Sequence, residues 1–298
     1  MAGRPPASET ALYVGTSGRG YALAVVGGLL DDPSITDRGV DLLSALPDPD
    51  DAAARPLDVL FGLPGIAAAL GAVATMTADE SLGALATRYA RACEREWREA
   101  SSGDRQRRIE AFRIGVAHGI TGMQLCMSRV FEATEDPLLL SWIHEMVETE
   151  NERVDRRDGV PARLEAVDRR PDLGWCWGAA GYVMAREVVA EVTGLDQALH
   201  AVEKGRRLAA GGRGRIDRLC CGKAGQAAVL GSESEHLTDL LSRPLAWRFE
   251  KDSPHQNASL LRGVALVARG RRRGPHPAGC RRSWPRPPTD DPRARDAR

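Results

Sequence analysis

Residues 62–74 read Gly-Leu-Pro-Gly-Ile-Ala-Ala-Ala-Leu-Gly-Ala-Val-Ala, a pair of glycines three apart followed by an unbroken apolar run. The pattern returns along the chain. Gly15-Thr-Ser-Gly18 precedes RGYALAVVGGLL, Gly119-Ile-Thr-Gly122 precedes MQLCMSRV, Gly178-Ala-Ala-Gly181 precedes YVMAREVVAEV, and Gly222-Lys-Ala-Gly225 precedes QAAVL. A damaged sixth copy starts at Gly263, where Leu266 replaces the second glycine. The first glycines are 47, 57, 59, 44 and 41 residues apart, room for two helices and their turns. The segment after each pair reads as a buried helix. The segments before, such as 80–95 and 136–154, read as amphipathic helices with a charged face. Glycine ahead of a helix permits backbone geometry closed to other residues and lets neighbouring backbones approach closely. Period-two alternation of β-branched residues is nearly absent. The chain is therefore expected to be all-α, built from stacked hairpins that form either an open solenoid or a closed α/α toroid.

Composition bounds the rest. The 298 residues suggest about two domains, or one repeat array. A hydrophobic content of 43% excludes a chain disordered throughout. Lys plus Arg and Asp plus Glu are 41 each, so charge gives no prior for nucleic acid or an anionic membrane as partner. Aromatics at 5% argue against an aromatic-rich β-sandwich. No apolar stretch approaches the roughly 18 residues of a membrane span. The N-terminus lacks a charged start followed by an apolar run, so no signal peptide is read and a cytoplasmic location is expected. The charge is uneven, however. Residues 269–298 hold ten Arg, three Asp and six Pro, a net +7 that leaves −7 for residues 1–268. That segment reads as a basic disordered tail, or as one not native to the fold, because the apolar entry at 259–265 dissolves into Arg and Pro.

The residues capable of chemistry are attached to the glycine turns. They occur as Asp58-Val-Leu-Phe-Gly62, Ala117-His118-Gly119, Trp175-Cys176-Trp177-Gly178 and Leu219-Cys220-Cys221-Gly222. If the turns gather at one end of a ring, Asp58, His118, Cys176, Cys220 and Cys221 gather too. Cys93 and Cys126 lie inside apolar segments and read as small core residues. Three thiolates with a fourth position open describe a catalytic rather than a structural zinc site. The spacing matches neither a zinc finger nor a ribbon, and buried thiols are the alternative. For Asp58 the plain alternative is an N-cap, and for His118 an imidazole hydrogen-bonded to backbone.

The strings LYVGTSG, DVLFGLPGI, VAHGITG, GWCWGAAGY and LCCGKAGQ, from Leu12 to Gln226, resemble the lanthionine synthetase C-like family, the cyclases of lanthipeptide biosynthesis. Cys-Cys-Gly at 220–222 resembles a subset of cyclase domains in bifunctional class II synthetases, which present three cysteines to zinc. The resemblance implies an α/α toroid over residues 1–268, incomplete at its C-terminus, with one zinc ion near the axis. It matches Cys176, Cys220 and Cys221 to the zinc ligands, His118 to the acid/base and Asp58 to the family's aspartate. The implied partner is a precursor peptide carrying dehydroalanine or dehydrobutyrine; a stand-alone cyclase served by a separate dehydratase and a fragment of a class II synthetase both fit. The implied reaction adds a peptide cysteine to the dehydroamino acid, closing a lanthionine or methyllanthionine thioether. The chemistry is coherent. A free thiol titrates near about pH 8.5 and a bound metal removes its proton at neutral pH. Addition leaves an enolate, and an imidazole with a pKa of about 6.5 is a suitable proton donor.

Trp177 stands where such enzymes carry Tyr or His. A toroid that keeps zinc or a thiol ligand but has lost turnover is therefore the second reading. A toroid enzyme acting on carbohydrate or isoprenoid is the third. It would show paired carboxylates and aromatics at the turns, which instead carry Cys and His with a single Asp.

Overall fold

The computed structural model describes residues 7–51, 56–100, 114–156, 174–211 and 223–230. Cys220, Cys221, the sixth glycine turn and the Arg/Pro-rich segment 269–298 lie outside the described residues. Every regular element among those described is helical. After a single turn at Ala7–Thr10 come α1 (Thr16–Leu30), α2 (Pro33–Ser44), α3 (Leu63–Thr77), α4 (Glu80–Ala100), α5 (Ile120–Thr134), α6 (Pro137–Arg156), α7 (Ala179–Thr193), α8 (Val202–Gly211) and α9 (Lys223–Leu230). Short 3-10 turns lie at Pro49–Asp51 and Asp196–Leu199.

Each odd-numbered helix from α1 to α7 follows a glycine turn and pairs with the even-numbered helix after it. The odd-numbered helices also pack on one another in sequence, α1 on α3, α3 on α5, α5 on α7 and α7 on α9. That arrangement is the double layer of an α/α toroid: an inner row that is apolar nearly all round, and an outer row with one apolar face. The separation follows from the residues. Inner α3 buries ten of its 15 residues, among them Ile66, Leu70 and Val73. Outer α4 buries Leu82, Tyr89, Cys93 and Trp97 and turns its arginines outward. Trp97 meets Trp142 of α6 edge-on at 6.0 Å, and the Tyr89 hydroxyl donates to Pro47 O at 2.6 Å. No described helix is long and apolar enough to cross a membrane.

The four inner helices α1, α3, α5 and α7 are each 15 residues long. Each ends on a left-handed residue, namely Asp31, Ala78, Glu135 and Gly194. Only the last is the glycine that this conformation favours. In the first three hairpins an aspartate follows at once and caps the outer helix: Asp32 accepts from Ser34 N, Asp79 from Ser81 N and Asp136 from Leu138 N.

The glycines are there for close approach. The first residue of each pair has extended φ and ψ open to any residue. A Cβ on the second, however, would meet the carbonyl oxygen six residues back: 1.8 Å from Val116 O at Gly122 and 1.8 Å from Trp175 O at Gly181. Gly122→Ala is therefore expected to lower unfolding free energy by about 3 kcal/mol, the upper end for overpacking, because the obstructing atom is backbone. Gly83→Ala in α4, where the nearest atom would be 3.8 Å away, is expected to gain about 0.5–1 kcal/mol. Urea unfolding of the two variants reads the contrast.

Candidate active site

Backbone hydrogen bonds join four glycine turns side by side. Tyr13 N donates to Leu60 O (2.9 Å), Val59 N to Ala117 O (3.1 Å) and Ala117 N to Cys176 O (3.1 Å). Within each turn the residue just ahead of the first glycine takes one register: Val14, Phe61, His118 and Trp177. Three of these carry rings, and the rings form a ladder. Phe61 lies 6.4 Å from His118 with planes 18° apart, and His118 lies 4.9 Å from Trp177 at 30°. Tyr13 closes the far end, edge-on to Phe61 at 6.0 Å.

Asp58 and His118, 60 residues apart, are in contact: Oδ2 of the carboxylate meets Nδ1 of the imidazole. The other carboxylate oxygen accepts from Leu60 N and Phe61 N, both at 2.8 Å. Asp58 thus closes its own turn and holds the histidine, but it does not cap α3, whose N-cap is Gly62 with no side-chain bond. An ionised carboxylate can only accept, so in the neutral ring this contact selects the tautomer with the proton on Nδ1 and the lone pair on Nε2. The imidazole is 30% exposed, enough for a substrate to reach it. Trp177 contributes a flat face against that ring, a surface that would also stabilise an imidazolium.

Cys176 is buried at 4% exposure on the turn bonded to that of His118. Of the three cysteines matched to a metal, it is the one within the described residues. No group of three His, Cys, Asp or Glu able to hold a metal occurs among those residues. Cys93 and Cys126 are core residues, as expected, at 0% and 2% exposure. Burial pushes the Cys126 thiol up to about 12, with the charge of Asp58 adding to it, and burial raises Cys93 as well. Neither is a thiolate at neutral pH.

Sequence reasoning passed over one cluster. Arg186 of α7 and Glu150 of α6 are both 0% exposed and paired at 3.1 Å, with Gln124 and Thr121 of α5 bonded to the same carboxylate. Burial raises the Glu150 carboxyl, an effect the Arg186 guanidinium opposes most strongly. The signal was present in the sequence. Arg186 continues the buried stripe of Tyr182, Val183 and Val189, where a long charged side chain needs a partner.

The family model for lanthionine synthetase C-like protein matches residues 4–241. The chain belongs to that family. Among solved structures, nisin cyclase is similar to it with a TM-score of 0.50 and 14% identity, a likeness of fold. The match covers 74% of this lanthionine synthetase C-like chain and 63% of nisin cyclase, so the chain spans less than two thirds of that protein. No curated protein sequence matches it.

Proposed function

We propose that this lanthionine synthetase C-like chain is a zinc-dependent peptide cyclase, with residues 1–268 as its catalytic unit and 269–298 as a tail. Its substrate would be a precursor peptide already carrying dehydroalanine or dehydrobutyrine. The observation that carries the reading is Ala117. The residue beside the Asp58-oriented histidine donates its N–H to the carbonyl of Cys176, so acid/base and thiol lie on adjoining turns.

The donor chemistry suits the metal. Cys176 is buried, and Cys221 stands two residues ahead of Lys223, where α9 starts against α7. This three-cysteine set resembles the cyclase domains of class II synthetases. Zinc held by Cys176, Cys220 and Cys221 would supply an acidified but still nucleophilic substrate thiol at neutral pH.

The remaining work belongs to this chain. Nε2 of His118 accepts the proton released by the peptide cysteine. Sulfur bonds to the β-carbon of the dehydroamino acid, and the π pair moves toward the carbonyl as an enolate. The imidazolium, held by Asp58 at Nδ1 and faced by Trp177, returns the proton to the α-carbon. No atom is lost or gained.

Two measurements test the proposal. Incubation with a dehydrated, cysteine-containing peptide should remove alkylatable thiol at unchanged mass. The purified chain should hold about one zinc ion, and Cys176→Ala, Cys220→Ala and Cys221→Ala should each lower that content. Zinc retained with no loss of thiol would instead indicate a binding protein without turnover, the reading that Trp177 favours. Failure of all three substitutions to affect zinc would sink both readings.

A further inference from the structure

We infer that the buried chain Thr121–Glu150–Arg186 is a positioning device for His118, an inference that rests on the cyclase reading above. The turn that carries His118 begins at Gly115, whose φ of +151° is a glycine conformation. Gly115 N donates to Thr121 Oγ1 at 3.0 Å, and its carbonyl accepts from Gly122 N at 3.1 Å. The Thr121 hydroxyl donates in turn to Glu150 Oε1. The second Glu150 oxygen accepts from Gln124 Nε2 (2.9 Å) and Arg186 Nη1 (3.1 Å). Arg186 is itself fixed by Ala198 O (2.7 Å), Gln197 O (2.9 Å), Gln124 Oε1 (3.0 Å) and Asn151.

Two observations separate this chain from ordinary core packing. The first is register. The residue after Thr121 is the second glycine of its pair, and the same place in the other described turns holds Ser17, Pro64 and Ala180. Pro64 and Ala180 have no hydroxyl, and the Ser17 Oγ is buried without a hydrogen-bond partner among the described residues. Only the histidine's turn, among those described, is bound through a hydroxyl to a buried charge pair. The second is what Gly115 faces. A Cβ there would lie 2.8 Å from Cys176 O and 3.1 Å from Trp177 Cε3. Movement of Gly115 therefore runs into the turn carrying Cys176. The Thr121 bond fixes how the two turns sit against each other, and with them the imidazole relative to the thiol.

A buried ion pair rarely improves stability over an apolar replacement, so its presence calls for another explanation, and setting a unique geometry is one. Thr121, Glu150 and Arg186 do not touch the reacting atoms in this scheme. They act through the backbone of residues 115–118.

The test uses Thr121→Val, which keeps shape and removes the hydroxyl, with Thr121→Ser as rescue and Glu150→Gln as a second break that keeps an acceptor for Thr121. On a dehydrated peptide, Thr121→Val should lower kcat about ten- to hundredfold, the cost of a displacement near 1 Å, with KM within about twofold and zinc content unchanged. Thr121→Ser should recover kcat to within about threefold of wild type, and Glu150→Gln should fall between the two. An activity-independent measurement accompanies these. In 15N spectra His118 should be the Nδ1–H tautomer in wild type and Thr121→Ser, and a mixture with Nε2–H in Thr121→Val. Absence of cyclisation in the wild type would end the cyclase reading and leave the tautomer as the test. Wild-type tautomer and kcat in Thr121→Val, or Thr121→Ser no better than Thr121→Val, would overturn the positioning role.

Discussion

Arg186→Met is expected to lower the unfolding free energy by about 3–5 kcal/mol at neutral pH, the cost of leaving a carboxylate buried with no counter-charge. Methionine fills much of the same volume, so the loss comes from the buried polar groups left behind rather than from a cavity. Glu150 would keep Thr121 and Gln124 as donors, two neutral bonds against the charge-assisted one removed. The pH dependence identifies the cause. Burial raises the Glu150 carboxyl above its ordinary value and the Arg186 guanidinium opposes that rise, so removing Arg186 raises it further. A carboxyl raised in the folded state contributes stability that is complete below its unfolded pKa of about 4.3 and is lost as pH climbs through the folded value. The deficit of Arg186→Met relative to wild type should accordingly be widest at neutral pH and narrow as acid protonates Glu150. Adding Glu150→Gln should restore the charge part of the loss, because the double variant buries no net charge, while Ala198 O, Gln197 O and Gln124 Oε1 still lack the Arg186 donor. Urea titrations across this pH range, arranged as a double-mutant cycle, measure all three. A deficit below about 1 kcal/mol, or one flat with pH, would mean that Glu150 is already neutral in the native protein.

The repeat was legible in the sequence because it is written in the residues that tolerate least substitution. A backbone oxygen 1.8 or 1.9 Å from any Cβ leaves glycine as the residue for the second position of the pair, so Gly18, Gly65, Gly122 and Gly181 mark the turns one by one. The reason is contact rather than the conformational freedom that glycine usually signals. The unequal spacing of the repeats has a structural origin. The first four inner helices are constant at 15 residues, whereas the described parts of the outer helices run 12, 21, 20 and 10. The variation falls after the inner helix of each repeat, in the outer row and its connections. An aspartate 17 residues after the first glycine, at 32, 79 and 136, announces the outer helix. The fourth repeat has Leu195 there, a 3-10 turn follows, and the helix starts late at Val202.

The site was legible only in part. Asp58 and His118 could be paired from sequence only by assuming that the turns converge, and the backbone bond from Val59 N to Ala117 O is the local link that brings them together. Thr121 and Glu150 carried no such mark. A threonine in a helix's first turn and a glutamate among the charges of an outer helix look like surface residues until α7 places Arg186 against Glu150.

Asp58→Asn separates the two roles of Asp58 more sharply than any deletion. Asparagine retains one carbonyl oxygen, which can go on accepting from Leu60 N and Phe61 N and so preserve the turn. Its other terminal atom is an amide nitrogen that only donates. Facing His118 Nδ1, it requires that nitrogen to be an acceptor and drives the proton to Nε2, the atom assigned to receive the substrate's proton. The fold should be retained, with stability within about 1 kcal/mol of wild type because both bonds within the turn survive. Cyclisation should fall about 10²–10⁴-fold, the range of a mispositioned or wrongly protonated general base. His118→Ala should fall by a similar factor, and the double variant little further, since both substitutions disable one unit. Zinc content should hold in all three, because neither residue is among the proposed thiol ligands. The control is Asp58→Ala, which loses the bonds within the turn as well and should be destabilised by about 1 kcal/mol more than Asp58→Asn. Full activity in Asp58→Asn would mean that the carboxylate serves only its own turn, and His118 would then have to work without an orienting partner.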